Sequence, residues 1–240
     1  MNKFIYWFFR IDWISTLRFN FHYLPLNQAI KLPFFLYKSK LIAMKGKVTL
    51  QTDKIKPGMV KLGIQMVNIY YEKVGFVWEN QGGEIIIKGR GELGAGSAVS
   101  IFNSGNLIIG EHFHCTSNFK IIVTNSINLG CHFRAGWNTL MMDTDFHSFY
   151  NITKNEYSVK SAPIIIGDYT WIGNGCLILK GTILPKYSAV GARTILNKNI
   201  NVPSFSLIAG NPAQIIRSNI IYDLYVKYYN LEMEEKNGLG

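Results

Sequence analysis

Five histidines, at 22, 112, 114, 132 and 147, and three cysteines, at 115, 131 and 176, are the side chains of this 240-residue chain best suited to proton transfer or metal ligation. An unperturbed imidazole titrates near pH 6.5, the range a general base needs around neutrality. A catalytic zinc ion is commonly held by three protein ligands that converge on it, histidines among them. Only His112 and His114 are close, and no matching set accompanies them, so no metal is expected. The odd cysteine count and the lack of a CxxC pair argue against a disulfide scaffold or a zinc ribbon. His112 and His132 each follow an aliphatic residue (Ile109, Leu129) by three positions, which suits a structural pair stacked on adjacent turns. His147 ends the acid-rich run Asp143-Thr-Asp-Phe-His147. Taken as residues alone, it reads either as a loop histidine beside turn-forming acids or as a catalytic base.

The element that positions these residues is a repeat. From Ile166 every sixth residue is aliphatic: Ile166, Ile172, Ile178, Leu184, Val190, Leu196, Val202 and Ile208. Eight such matches arise by chance on the order of once in 10⁵ trials. The following positions are mostly turn residues, among them Gly167, Gly173, Pro185 and Gly191. Period six fits neither a helix nor one long strand. It fits short strands joined by tight corners, three to a triangular coil, with coils stacked about 4.8 Å apart over a buried aliphatic ladder. The period continues upstream, with small insertions, as Ile87, Leu93, Val99; Ile109, Cys115, Ile121; and Leu129, Ala135, Met141. It then breaks until Ile166, so residues 147–165 are expected to be an inserted loop, where function tends to reside.

The predicted fold is all-β, a parallel β-helix over 47–217 with an N-terminal helical segment and a C-terminal helix. Residues 1–46 read as one or two helices, around 11–20 and 27–38, rich in aromatic and basic residues. The spacing of Ile215, Ile216, Ile220, Ile221, Leu224 and Tyr225 predicts a helix in the C-terminal segment, which spans 218–240 with its tail and would cap the open end of the coil.

A hydrophobic fraction of 48% against 17% charged residues excludes overall disorder. Eight of the ten net positive charges fall in residues 1–60. The run Phe4–Phe9 is too short for a signal-peptide core and no segment has spanning length, so a cytoplasmic protein is expected. Basic and aromatic residues over 1–40 suit weak contact with the inner membrane face; the competing reading packs the aromatics against the first coil. No recognisable nucleic-acid module accompanies the charge, so nucleic acid is not expected as a partner.

The stretches Ile166-Gly-Asp-Tyr-Thr-Trp-Ile-Gly-Asn174, Lys180-Gly-Thr-Ile-Leu-Pro185, Val190-Gly-Ala192 and Ala209-Gly-Asn-Pro-Ala-Gln-Ile-Ile-Arg217 resemble the hexapeptide-repeat acyltransferases, as does Asp143–His147. The resemblance covers roughly 84–217. It implies a left-handed coil, a homotrimer, and acetyl-CoA in a groove between neighbouring coils. It makes His147 the general base, oriented by Asp145, by Asp143 or by a backbone carbonyl. It places the Asn174 backbone N–H as oxyanion donor, Trp171 and Ala192 along the groove, and Lys198 and Arg217 at the CoA phosphates. Asn118 and Asp143 would lie near the acceptor. Gln214 departs from the pattern, standing where a basic residue is usual. The implied activity is acetyl-CoA-dependent O-acetylation of a sugar hydroxyl, in surface polysaccharide synthesis by analogy. The alternatives are N-acetylation of an amino sugar, serine acetylation, a β-helical carbonic anhydrase and a non-enzymatic scaffold.

Overall fold

A computed structural model describes residues 8–66 and 75–238, with side chains to 235. Lys3 and the aromatics Phe4, Tyr6 and Trp7 of the basic-aromatic segment lie outside the described residues. The chain winds into a three-faced left-handed parallel β-helix, with faces of nine, seven and six strands.

The sixfold register supplies the ladders of this prism. On the nine-stranded face Leu36, Leu62, Leu93, Cys115, Ala135, Ile172, Val190 and Ile208 lie in register, one per coil. Val99, Ile121, Met141, Ile178 and Leu196 do the same on the seven-stranded face. Ile87, Ile109, Leu129, Ile166 and Leu184 complete the third. All belong to one continuous buried cluster. Burying an aliphatic side chain contributes roughly 1.5–3 kcal/mol, so the ladder is the main source of stability.

The ends differ from expectation. The coil reaches further back than residue 47: Phe34–Leu36 pairs with Val60–Ile64, and Lys40–Met44 with Val77–Asn80, both in parallel. The helix expected around 27–38 is therefore only the single turn α2 (Leu26–Ala29). Helix α1 (Trp13–Tyr23) begins where Asp12 accepts the Ser15 N–H at 3.1 Å. Its buried Thr16 and Asn20 cover the sheet edge. Asn20 Nδ2 donates to Phe34 O (2.8 Å), while Phe34 N donates to Asn20 Oδ1 and Leu36 N to Thr16 Oγ1. Backbone groups that would otherwise form an open edge are satisfied by helix side chains.

At the other end, Gln214–Arg217 is an antiparallel strand against Leu207–Ala209, and helix α3 runs only over Val226–Gly238. The spacing of the isoleucines had suggested helix, but Ile215 and Ile216 are exposed on that strand. The strand covers the sheet edge, whereas α3 lies along the flank of the coil: Tyr228 meets His132 and Tyr169, and Tyr229 meets Tyr187 and Phe205.

Candidate active site

The corners of the prism hold the polar residues. Between the nine- and seven-stranded faces one slot per coil is taken by Ser117, Trp137, Asn174 and Ala192, each two residues after a ladder residue. The next slot has positive φ at Asn118 (58°), Asn138 (59°), Gly175 (69°) and Arg193 (58°), and the coils are tied by Asn138 N to Ser117 O, Gly175 N to Trp137 O and Arg193 N to Asn174 O. Asn118 Nδ2 donates to Asn138 Oδ1 at 2.6 Å. A Cβ on Gly136 would stand 2.7 Å from Asn174 N, so glycine is needed there for the coils to approach. A cleft of about 250 Å³ opens at this corner, bordered by Arg134, Trp137, Trp171, Asn174 and Tyr222. Trp171 is stacked on Tyr222, centroids 5.0 Å apart and planes at 15°. Ala192 is exposed in the slot after Asn174.

His147 belongs to a different corner. The chain leaves the coil after the strand Leu140–Met142 of the seven-stranded face and rejoins it at Ile164–Ile166 of the six-stranded face. The excursion is a hairpin, with Tyr150–Asn151 antiparallel to Glu156–Tyr157 and Thr144 bridged to Ser161. It starts just after Asp143, earlier than His147: Asp143 N still pairs with Ile122 O of the coil below and its O with Ala162 N, while the chain beyond pairs chiefly with itself. His147 is exposed and makes no hydrogen bond to a described residue. Within one chain it does not meet the Trp137–Asn174 corner, since the two sit on different edges of the prism.

Asp143 faces the coil and not the acceptor. Its carboxylate is fully buried and accepts from Thr124 N (2.8 Å), Thr124 Oγ1 (3.1 Å) and Asn125 N (2.8 Å). With its oxygens engaged by the coil below, it neither contacts an acceptor nor orients His147. Asp145 is also committed, to Lys180 at 2.6 Å, and Lys180 Nζ further donates to Val159 O. This pair ties the hairpin to the next coil, so Asp145 does not orient His147 within the chain either. Lys198 and Arg217 are exposed near the C-terminal end of the coil.

Sequence reasoning missed Trp137, Arg134 and Tyr222. Trp137 had a signal: it stands two residues after Ala135, as Asn174 stands after Ile172. Tyr222 had none, since its position depends on how the strand Gln214–Arg217 turns the chain back along the coil.

Among the described residues no three His, Cys, Asp or Glu side chains converge to hold a metal, and no helix is long and apolar enough to cross a membrane. Cys115 and Cys176 are buried, and burial raises both thiols above their ordinary range, which suits core residues and not nucleophiles.

The fold is that of the left-handed β-helix proteins built from hexapeptide repeats. The chain is 29% identical over 117 residues to a polysialic acid O-acetyltransferase of Escherichia coli O1:K1 / APEC, a match covering 48% of this chain and 38% of the relative. It is 30% identical over 129 residues to the galactoside O-acetyltransferase of Escherichia coli K12, covering 53% of this chain and 62% of that one. The matches thus span about two fifths to three fifths of these relatives' lengths. The crystal structure of the polysialic acid O-acetyltransferase OatWY aligns with a TM-score of 0.53 and 21% identity, over 77% of this chain and 90% of that one. No family model matches the sequence.

Proposed function

We propose that the protein is an acetyl-CoA-dependent O-acetyltransferase acting on a sugar hydroxyl of a bacterial surface glycan. The observation that carries this reading is His147, exposed on a hairpin that leaves an otherwise rigid coil, in a chain similar to two sugar O-acetyltransferases. In the proposed reaction the acceptor oxygen attacks the thioester carbonyl of acetyl-CoA as His147 removes its proton. The carbonyl oxygen gains negative charge, for which the Asn174 N–H at the glycine-lined corner is the donor. The C–S bond breaks, and the CoA sulfur departs with the proton that His147 took up.

Because His147 and Asn174 lie on different edges of one prism, the site needs a neighbour. A homotrimer in which the hairpin of one subunit reaches the Trp137–Asn174 corner of the next brings them together. Ala192 leaves room for the pantetheine arm, Trp171 lines the groove, and Lys198 and Arg217 meet the CoA phosphates. Asn118, bonded to Asn138 on the same corner, is the remaining acceptor contact.

A cytoplasmic location goes with this reading. Helix α1 packs Phe19 against the coil but leaves Ile14, Leu17 and Phe21 exposed, as is Phe9 before it. These apolar groups beside Arg10 and Arg18 suit weak, salt-sensitive contact with an anionic membrane surface. Flotation with anionic liposomes at low and high salt separates this from a purely packing role.

The activity test is CoA release from acetyl-CoA against a panel of hydroxyl and amino sugars, with mass spectrometry of the product. Turnover on hydroxyl sugars is expected. Transfer confined to amino sugars would establish the N-acetyl alternative, and no transfer to any sugar would overturn the reading.

A further inference from the structure

The outward row of the nine-stranded face carries Lys61, Glu92, His114, Arg134 and Trp171 in register, one per coil. Its charges are paired up to a point. Lys61 Nζ lies 3.5 Å from Glu92 Oε2, and His114 Nδ1 donates to Glu92 Oε1 at 2.9 Å. The His114 hydrogen bond holds the Glu92 carboxyl below its usual range against the opposing effect of burial, with Lys61 adding to the lowering. Lys61 and Glu92 thereby cancel. The pairing stops at Arg134, a half-buried residue whose guanidinium makes no ion pair or hydrogen bond with a described residue. An arginine fork offers five donors in one plane, and a partly desolvated one without an anion is costly.

A second guanidinium stands beside it. Arg90 Nε donates to His112 Nδ1 at 2.8 Å, and its terminal nitrogens bond to no described residue. Arg90, Lys61, Arg134 and Tyr228 line a polar cleft of about 290 Å³. Glu92, already neutralised, is the one acidic residue among the described residues that line it; Glu111, 3.6 Å from His112 Nε2, does not. The cleft shares Arg134 and His114 with the Trp137–Asn174 cleft, so the two lie side by side on the face.

We infer that this cleft is an oxyanion-binding site, with Arg134 gripping a carboxylate or phosphate in bidentate fashion and Arg90 as the second contact. Its place beside the Trp137–Asn174 corner makes the occupant part of the acceptor, a sugar carrying a carboxylate. This last step rests on the acyl-transfer reading; the anion site itself does not.

The test measures binding to the full-length protein by titration calorimetry without acetyl-CoA. The probes are a glucuronate trisaccharide, its neutral glucose counterpart, inorganic phosphate and CoA. The expected result is binding of the glucuronate trisaccharide and not the neutral one, weakened about tenfold or more by Arg134→Ala and by Arg90→Gln, with CoA affinity unchanged. If phosphate or CoA binds there and loses affinity in both variants while the glucuronate does not bind, the acidic-acceptor assignment is overturned. Equal binding of both saccharides, or affinities indifferent to both variants, would overturn the site altogether. Light scattering guards against a trivial loss. If Arg134→Ala changes the assembly, Arg90→Gln, at an exposed position, decides alone. Glucuronate binding that persists in a protein inactive on every sugar would leave the cleft standing and remove the acyl-transfer reading instead.

Discussion

Where the six-stranded face turns into the nine-stranded one, five rings stand in a column: His112, His132, Tyr169, Tyr187 and Phe205. Successive centroids are 4.5, 4.9, 4.8 and 5.0 Å apart and their planes lie within 12° of one another. Helix α3 closes over this column, with Glu232 accepting from Tyr187 Oη at 2.8 Å, and Tyr225 Oη from the preceding turn donating to His132 O at 2.7 Å. Where the seven-stranded face turns into the six-stranded one, a buried carboxylate on Asp143 holds the corner while the chain beyond it departs as a hairpin bearing His147. The same period of six thus produces a sealed corner and an open one. The difference lies in what fills the turn: flat rings at a spacing close to the strand repeat stack into a wall, whereas an insertion breaks the column and frees side chains for chemistry.

The largest expected effect lies at the open corner. His147→Ala should lower turnover by about 10²–10⁴-fold, as removal of a general base does, with assembly, CoA binding and melting temperature unchanged. Turnover within about threefold of the wild type would remove His147 from the mechanism. Asp143→Ala, four residues earlier, should do the reverse of a catalytic variant. It strands the Thr124 and Asn125 N–H groups and should cost roughly 2–4 kcal/mol of stability, read by urea denaturation; an unchanged midpoint would show that the corner is held by other groups.

Lys198→Ala and Arg217→Ala test the far end of the groove. Each should raise the KM for acetyl-CoA about three- to tenfold with kcat at saturation little changed. If neither moves KM, the phosphate end lies elsewhere.

The smallest effect belongs to the sealed corner. Burial holds the His132 imidazole down at about 4, with the neighbouring His112 adding to the depression. The unfolded chain takes up that proton near pH 6.5 and the folded one does not, so stability should fall as pH drops from about 6.5 towards 4. His132→Phe, which keeps a ring in the column, should flatten the profile over that window. An unaltered slope would mean that other groups govern it.

The ladder was legible because each inward position is one buried aliphatic in a period of six, a pattern that neighbouring coils reinforce. The His112–His132 stack was legible for the same reason, from their place three residues after Ile109 and Leu129. The same rule reaches Tyr169, Tyr187 and Phe205, three residues after Ile166, Leu184 and Val202; it was legible there too but went unread. What sequence could not give is partner choice. Asp143 and Asp145 beside a histidine look like an acid–base cluster. Only the fold shows that one carboxylate faces back to Thr124 and Asn125 of the coil below and the other reaches Lys180, all of them far from the aspartates in sequence. The ends misled for a related reason. Phe34–Leu36 and Gln214–Arg217 border the prism, so each has a neighbouring strand on one side only and lacks the full signature of the repeat.

Thr16 and Asn20 on helix α1 carry a consequence for assembly in bulk. A stack of identical coils is a one-dimensional crystal, and its two terminal layers are growth faces able to accept the first or last coil of another molecule. By supplying donors and acceptors to Phe34 and Leu36 from side chains rather than from a further strand, α1 poisons one growth face. The antiparallel strand at 214–217 does the same at the other, because it cannot continue a parallel lattice. The nine-stranded face thereby has both of its ends closed to extension by the same face of another molecule.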